Sequence, residues 1–273
     1  MNGNHCFIAS KDSVFILSIR GSLLEFSEDA FNNWVLQDLN VKDQVDWPFS
    51  LQKGSKVSVG AMTGLKNILD MRDATLHQSL VQFVDSACSS GHSLLITGHS
   101  LGGNLATVTA SWLYDHFHKG PKPAPALNVI TYAAPAAGNL LFATDYLQKF
   151  PQSTRYENVN DIVPKFPVAD RVAELDHLFY PGPRAVDVKV GYRFIKVGLN
   201  TIFAGMRLTL KGVEMAYGSS VYTQTNGNGM PVQVALSGKY SSPTVSNWFA
   251  EAGYQHSMEQ YAKGLGAPVI HVP

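Results

Sequence analysis

The chain has 273 residues, of which 45% are hydrophobic and 15% are charged. This length is enough for one sizeable hydrophobic core, and such an apolar composition excludes an intrinsically disordered chain. Basic and acidic residues both number 21, so the formal net charge is zero and the basic surface typical of a nucleic-acid-binding protein is not expected. We therefore expect a globular protein with no nucleic-acid partner.

The sequence also limits the protein's relation to membranes and to disulfide chemistry. No run of about 18 apolar residues occurs, so we expect no transmembrane segment. Residues 1–5 lack the basic start and apolar centre of a signal peptide. The two cysteines, Cys6 and Cys88, favour free thiols over a disulfide framework, although their pairing stays open. Compartment and oligomeric state do not follow from these features.

Short apolar runs alternate with longer amphipathic stretches along the chain, which is typical of βα units around a mostly parallel sheet. The predicted strands cover residues 14–19, 94–97, 128–132 and 154–159. The predicted helices cover residues 65–88, 101–117 and 139–150, and we expect a turn at 226–229. We predict a single α/β domain spanning residues 1–273, with a central mostly parallel sheet flanked by helices.

The segment 94–106 carries the strongest chemical signal. An apolar strand leads into Gly98-His99-Ser100-Leu101-Gly102, and a helix rich in small residues follows. This context indicates a nucleophile elbow, a turn so tight that the serine adopts a strained backbone and its flanking glycines admit no side chain. The alternative is an ordinary turn in which Ser100 caps the helix. We predict an α/β-hydrolase fold with Ser100 as nucleophile, its oxygen exposed at the helix start.

A serine hydroxyl needs a base, normally a histidine that a carboxylate orients. In this fold the chain order is Ser, then Asp or Glu, then His. Asp161 follows a predicted strand and is the first choice of carboxylate, with a turn aspartate as the alternative. The competing carboxylates and the candidate bases both lie downstream of Ser100: Asp145, Asp170, Asp176 and Asp187, and His177, His256 and His271.

Several separate segments together resemble the class 3 lipases, the group that includes the filamentous-fungal triacylglycerol lipases. They run in the family's order over nearly the whole chain: 19–22, 33–34 with Asp38, 96–103, 131–139, 159–164, and His256 with Tyr261. The resemblance implies that Ser100 attacks the ester carbonyl, that His256 is the base and that Asp161 orients it. It further implies an oxyanion hole formed by the backbone N–H groups of Ser22 and Leu101. His177 then corresponds to a structural histidine of the family.

A lid follows the oxyanion segment directly in that family, so we predict a lid at residues 23–38. Its candidate acyl-binding residues share one face of an amphipathic helix: Leu24, Phe31, Trp34 and Val35. The alternative is a helix whose apolar face stays in the core. Residues 33–38 carry one residue more than the family's signature, which affects the register of this segment. The apolar stretch 186–222 is a candidate for a second cap.

These features predict a carboxylic ester hydrolase that acts on acylglycerols through an acyl-enzyme. The predicted partner is a lipid ester, met at a lipid–water interface. Neither a cofactor nor a metal is expected, because acyl transfer needs no redox chemistry and no clustered metal ligands stand out. The alternatives are an esterase or phospholipase that acts on other lipid or aryl esters, and an inactive hydrolase fold used for binding. Members of the family are often secreted.

Overall fold

The computed structural model describes residues 5–21, 43–87, 91–121, 124–192, 195–218, 220–225 and 228–269. Its largest sheet has six strands in the order β1-β2-β5-β6-β7-β10. β1 pairs antiparallel with β2, and every other pair in this sheet is parallel. The strands are β1 (Cys6–Lys11), β2 (Val14–Ile19), β5 (Ser93–His99), β6 (Ala126–Tyr132), β7 (Thr154–Asn158) and β10 (Asn228–Val232).

The sequence predicts the inner strands of this sheet well. β2 has the predicted bounds, and β5, β6 and β7 differ from prediction by one or two residues at an end. Alternate residues of β5 are buried, since Leu94 and Ile96 point into the core. Among the described residues, two further antiparallel strand pairs lie outside the sheet: β3 (Gln44–Asp46) with β4 (Lys56–Ser58), and β8 (Lys189–Tyr192) with β9 (Ile195–Gly198).

The helices of the described residues are α1 (Val59–Asp70), α2 (Leu80–Ala87), α3 (Leu101–Lys119), α4 (Leu140–Lys149), α5 (Ala169–Val172), α6 (Leu199–Tyr217), α7 (Val245–His256) and α8 (Met258–Gly264). The prediction of one helix over 65–88 is wrong, because the chain forms α1 and α2 instead. Between them, the Asp73 carboxylate accepts the backbone N–H groups of Thr75 and Leu76, which holds a turn where a helix would need those donors.

The first hydrophobic core lies between the sheet and helices α1 to α4. Leu17, Ile96 and Val129 contribute from the central strands, while Leu105 and Val108 contribute from α3. α3 begins directly after β5 and packs against β2, β5 and β6. This packing fixes the end of β5 and the start of α3 relative to each other.

A second hydrophobic core is formed by buried side chains between residues 162 and 252. Trp248 of α7 is fully buried against the rings of Phe179 and Phe203. Phe203 belongs to α6, so the described part of the candidate cap 186–222 includes the β8–β9 hairpin and a helix that contacts Trp248 of α7 through this ring. The turn predicted at 226–229 is wrong in its second half, because Asn228 and Gly229 lie in β10, where they pair with β7.

Candidate active site

Ser100 lies between β5 and α3 in the backbone conformation that a nucleophile elbow requires. Its φ is 60° and its ψ is −130°, a region that residues other than glycine rarely occupy. The Ser100 N–H donates to the carbonyl of Tyr132 on the neighbouring strand, and the Ser100 carbonyl accepts from Gly103 and Asn104. These bonds hold the strained residue from both sides.

The glycines around Ser100 are required by close backbone contacts. A Cβ placed on Gly98 would collide with the Gly102 carbonyl, and one placed on Gly102 would collide with the carbonyl of Ile19 at the end of β2. At Gly103 an added Cβ would lie 2.8 Å from the Cβ of Ala134. The sheet and α3 therefore meet through bare backbone at this point, as the sequence predicts.

The Ser100 side chain is buried, with 2% of its surface exposed, so the prediction of an exposed oxygen is wrong. Its Oγ makes no hydrogen bond to any described residue. A buried hydroxyl without a partner is unusual, because such a group loses its bonds to water without replacement. Within the described residues, this oxygen therefore has no hydrogen-bonding role.

Asp161 and His256 come together although 95 residues separate them. The Nδ1 atom of His256 lies 2.8 Å from Oδ2 of Asp161, and both side chains are almost completely buried. A carboxylate accepts hydrogen bonds, so Nδ1 carries the proton in this contact, and Nε2 is then the nitrogen that can act as a base. Asp161 follows β7 and His256 ends α7, as expected for residues at the carboxyl edge of the sheet.

The surroundings of Asp161 include contacts that the sequence analysis did not assign. The Tyr261 hydroxyl donates to Oδ2 of Asp161 at 2.9 Å, and it accepts the backbone N–H of Asn158 at 2.9 Å. Oδ1 of Asp161 accepts the backbone N–H of Val163 at 2.9 Å. Burial and the nearby Asp161 carboxylate both raise the pKa of Tyr261 well above its ordinary value, so its hydroxyl stays a donor. The spacing from His256 to Tyr261 was the available signal.

His99 is a second residue whose role the sequence did not reveal. Its Nε2 lies 2.8 Å from the backbone oxygen of His256, and the two imidazole rings are 4.6 Å apart between centroids. Burial and, to a smaller extent, the neighbouring His256 lower the pKa of His99 to about 3, while Asp161 opposes this shift. His99 is therefore neutral at ordinary pH.

The described part of the predicted oxyanion segment reaches Ser100. A Cβ added to Gly21 would lie 3.2 Å from Cβ of Ser100 and 3.3 Å from the Gly102 nitrogen, so the chain after β2 passes directly over the elbow. Leu101 is the first residue of α3, where backbone N–H groups have no partner within the helix. Ser22, the other predicted oxyanion donor, lies outside the described residues, as do the lid candidates Leu24, Phe31, Trp34 and Val35, and Cys88.

The competing side chains are placed elsewhere. Asp145 pairs with Lys149 in a buried ion pair, Asp170 with Lys211, and Asp187 with Arg184. His177 is exposed on a short 3₁₀ helix and Asp176 is beside it, so neither replaces His256 or Asp161. His271 lies outside the described residues.

Three further features bear on ligands. Among the residues that the structure describes, no three His, Cys, Asp or Glu side chains cluster as metal ligands would. No helix in the same ranges is long and apolar enough to cross a membrane. A cavity of about 990 Å³ lies between β1, the end of α1 and the start of α2, and none of Ser100, Asp161 and His256 lines it.

A mostly parallel sheet with a strained serine between strand and helix is the architecture of the α/β-hydrolases. The crystal structure of M37 lipase shares this fold with a TM-score of 0.76 at 21% identity, covering 96% of this chain and 73% of that one. The family described as Lipase (class 3) matches residues 16–171, more than half of the sequence. The chain therefore belongs to the class 3 lipase family.

Curated relatives resemble parts of the chain. Lipase ZK262.3 of Caenorhabditis elegans is 34% identical over 95 residues, which cover 33% of this chain and 26% of the relative. Secreted mono- and diacylglycerol lipase A of Penicillium cyclopium is 27% identical over 157 residues, which cover 58% of this chain and 44% of the relative. The matched regions thus span less than half of these relatives.

Proposed function

We propose that this protein hydrolyses carboxylic esters of acylglycerols, with Ser100 as nucleophile, His256 as base and Asp161 as the group that orients the base. The observation that carries the proposal is the buried 2.8 Å contact between His256 Nδ1 and Asp161 Oδ2. It is supported by the strained backbone of Ser100, whose neighbour in sequence, His99, reaches the His256 carbonyl. Family membership and the names of the lipase relatives support the acylglycerol substrate.

In the proposed reaction, Oγ of Ser100 attacks the ester carbonyl carbon while Nε2 of His256 takes the hydroxyl proton. The carbonyl oxygen becomes an oxyanion, which the backbone N–H groups of Leu101 and Ser22 stabilise. Collapse of this intermediate breaks the bond to the alcohol oxygen, which receives the proton from His256. Water then attacks the acyl-enzyme through the same steps and releases the acid.

Asp161 has two effects on His256 in this scheme. Its hydrogen bond keeps the proton on Nδ1, so that Nε2 remains the basic nitrogen, and its negative charge stabilises the imidazolium formed during each transfer. The bonds from Tyr261 and Val163 fix both carboxylate oxygens. A rotated carboxylate would lose one of them, so the orientation of His256 depends on these two bonds as well as on its own bond to Asp161.

The burial of Ser100 supports a covering segment that moves when substrate binds, because the bulky acyl chain of a lipid needs access to Oγ. The predicted lid at 23–38 is our candidate, and Leu24, Phe31, Trp34 and Val35 are its proposed acyl contacts. The stretch 186–222 stays a second candidate for a cap.

The decisive experiment measures labelling by a fluorophosphonate together with hydrolysis of a soluble short-chain ester, an emulsified triacylglycerol and phosphatidylcholine vesicles. Wild type should label and hydrolyse the triacylglycerol, while Ser100→Ala should do neither and His256→Ala nearly neither. His177→Ala is the matched control, since that histidine is exposed on a separate 3₁₀ helix, and it should behave as wild type. Preference for phosphatidylcholine would favour a phospholipase instead, and a folded but unreactive wild type would favour a binding protein.

A further inference from the structure

We propose that His99 is a positioning residue, which sets the location of His256 relative to Ser100 through a hydrogen bond to the His256 backbone. This inference rests on the proposed function, because it concerns how the position of His256 relative to Ser100 is maintained. His99 is the second residue of the elbow and does not itself contact a reacting atom in the proposed mechanism.

The hydrogen bond connects two elements that are distant in sequence. His99 is the last residue of β5 and immediately precedes Ser100, while His256 is the last residue of α7, 157 positions further on. A carbonyl oxygen only accepts, so the 2.8 Å contact requires the proton on Nε2 of His99. His99, which precedes the proposed nucleophile, thereby forms a hydrogen bond to the backbone of His256, the proposed base.

The bond has a specific structural reason at the His256 end. The last four carbonyl groups of a helix have no partner within that helix. In α7 two of them are satisfied from neighbouring strands: Nδ2 of Asn158 donates to the Gln255 carbonyl at 2.7 Å, and His99 donates to the His256 carbonyl. Since Asn158 anchors the same turn from β7, loss of the His99 bond should leave α7 folded but free to shift at its last residue.

The ring of His99 also packs against the side chains of His256 and Tyr261. Its centroid is 4.6 Å from that of His256 at an angle of 43°, and 5.9 Å from that of Tyr261 in an edge-on contact. The charged or titratable groups that act on it are His256 and Asp161. A second positive charge at this distance would oppose the imidazolium that His256 becomes during catalysis, so a neutral donor is needed here.

Neutrality follows from the same surroundings. Burial and His256 together hold the pKa of His99 at about 3, which leaves the ring uncharged throughout the range in which a histidine base operates. His99 therefore donates one hydrogen bond at every working pH and contributes no charge. A side chain that donates from the same place without titrating should serve equally well.

A matched pair of variants isolates the donor. Glutamine places an amide N–H near the location of Nε2, whereas methionine has a similar length and volume but donates nothing. The purified full chain is assayed for kcat and KM on a soluble short-chain ester, for the rate constant of fluorophosphonate labelling at Ser100, and for its melting temperature. Assays are run below the melting temperature of both variants.

We expect His99→Gln to keep kcat within about threefold of wild type. His99→Met should lower kcat and the labelling rate constant together by about tenfold or more with little change in KM, because a displacement of about 1 Å in a catalytic group can cost about a hundredfold. If the methionine variant does not fold, His99→Asn replaces it: asparagine keeps the amide but is one methylene too short, and should show the same loss.

The outcomes separate cleanly. Equal rates for His99→Gln and His99→Met, whether both are normal or both are impaired, would overturn the role of the hydrogen bond from His99. If wild type is labelled in that experiment, the proposed function is unaffected. A folded wild type that neither labels nor hydrolyses esters would overturn the proposed function and this role with it. A loss in the methionine variant that is confined to KM would also contradict positioning of the base.

Discussion

The strain at Ser100 makes a measurable prediction about stability. A residue with a side chain at φ 60° and ψ −130° costs about 1–3 kcal/mol, and glycine removes this cost. Replacing alanine by glycine normally destabilises, by about 0.4–1 kcal/mol through the greater freedom of the unfolded chain and by about 0.8 kcal/mol for a lost buried methyl group. At residue 100 we therefore expect Ser100→Gly to be about as stable as Ser100→Ala, or more stable.

The comparison needs a control at an ordinary backbone position. Ala137 is buried, lies outside the helices and strands, and does not have a positive φ. Ala137→Gly should carry the full cost of about 1–2 kcal/mol because no strain is relieved there. The difference between the two sites is the strain itself, and each kcal/mol corresponds to about 2–4 °C in melting temperature for a domain of this size.

Thermal and urea unfolding of Ser100→Gly, Ser100→Ala, Ala137→Gly and wild type provide the measurement. Both variants at residue 100 lack the proposed nucleophile, so differences in activity do not enter the comparison. If glycine costs the same stability at residues 100 and 137, the backbone at Ser100 stores no strain and our explanation of the elbow is refuted.

Three further predictions follow from the site. The His99 ring has a pKa of about 6.5 in the unfolded chain but of about 3 in the folded protein. The free energy of unfolding of wild type should therefore decrease as the pH drops below about 6.5, by up to about 1.4 kcal/mol per pH unit. In denaturant titrations between pH 6.5 and 4, the free energy of unfolding of His99→Gln should decrease less steeply. Tyr261→Phe removes the donor to Asp161 and leaves the Asn158 N–H without that acceptor, so unfolding should become about 1–3 kcal/mol easier and kcat should fall, whereas equal stability would exclude this bond as a support. If residue 34 belongs to a lid, Trp34→Ala should reduce activity on emulsified long-chain esters much more than on soluble ones with little change in melting temperature; a destabilised enzyme with an unchanged substrate ratio would contradict the lid.

Local patterns predicted the elbow because everything it needs is adjacent in sequence. An apolar strand, the glycines at 98 and 102 and a helix of small residues define the turn by themselves. The break between α1 and α2 was missed for the opposite reason. The apolar spacing continues through residues 65–84, but the Asp73 side chain takes up the backbone donors of Thr75 and Leu76, which a periodicity argument does not see.

Contacts between distant segments were the harder part. The order of serine, aspartate and histidine left several carboxylates and histidines open. The resemblance to the class 3 lipases implied Asp161 and His256, and the structure brings those two together. The hydrogen bonds from His99 to His256 and from Tyr261 to Asp161 depend on where α7 and α8 pack, which no local sequence pattern encodes. The burial of Ser100 likewise depends on packing by remote parts of the chain, so an exposed hydroxyl was the wrong expectation.

The long separations within the site have a consequence for biosynthesis. The contacts of Asp161 with His256, of Asn158 with Tyr261 and of His99 with His256 join residues 95, 103 and 157 positions apart. Each needs a large loop to close before it forms, so these contacts belong to late stages of folding. A nascent chain that contains Ser100 but not yet residues 256 and 261 lacks the proposed base and the tyrosine that donates to Asp161. Under the proposed mechanism, ester hydrolysis should therefore begin only after residue 261 has been made.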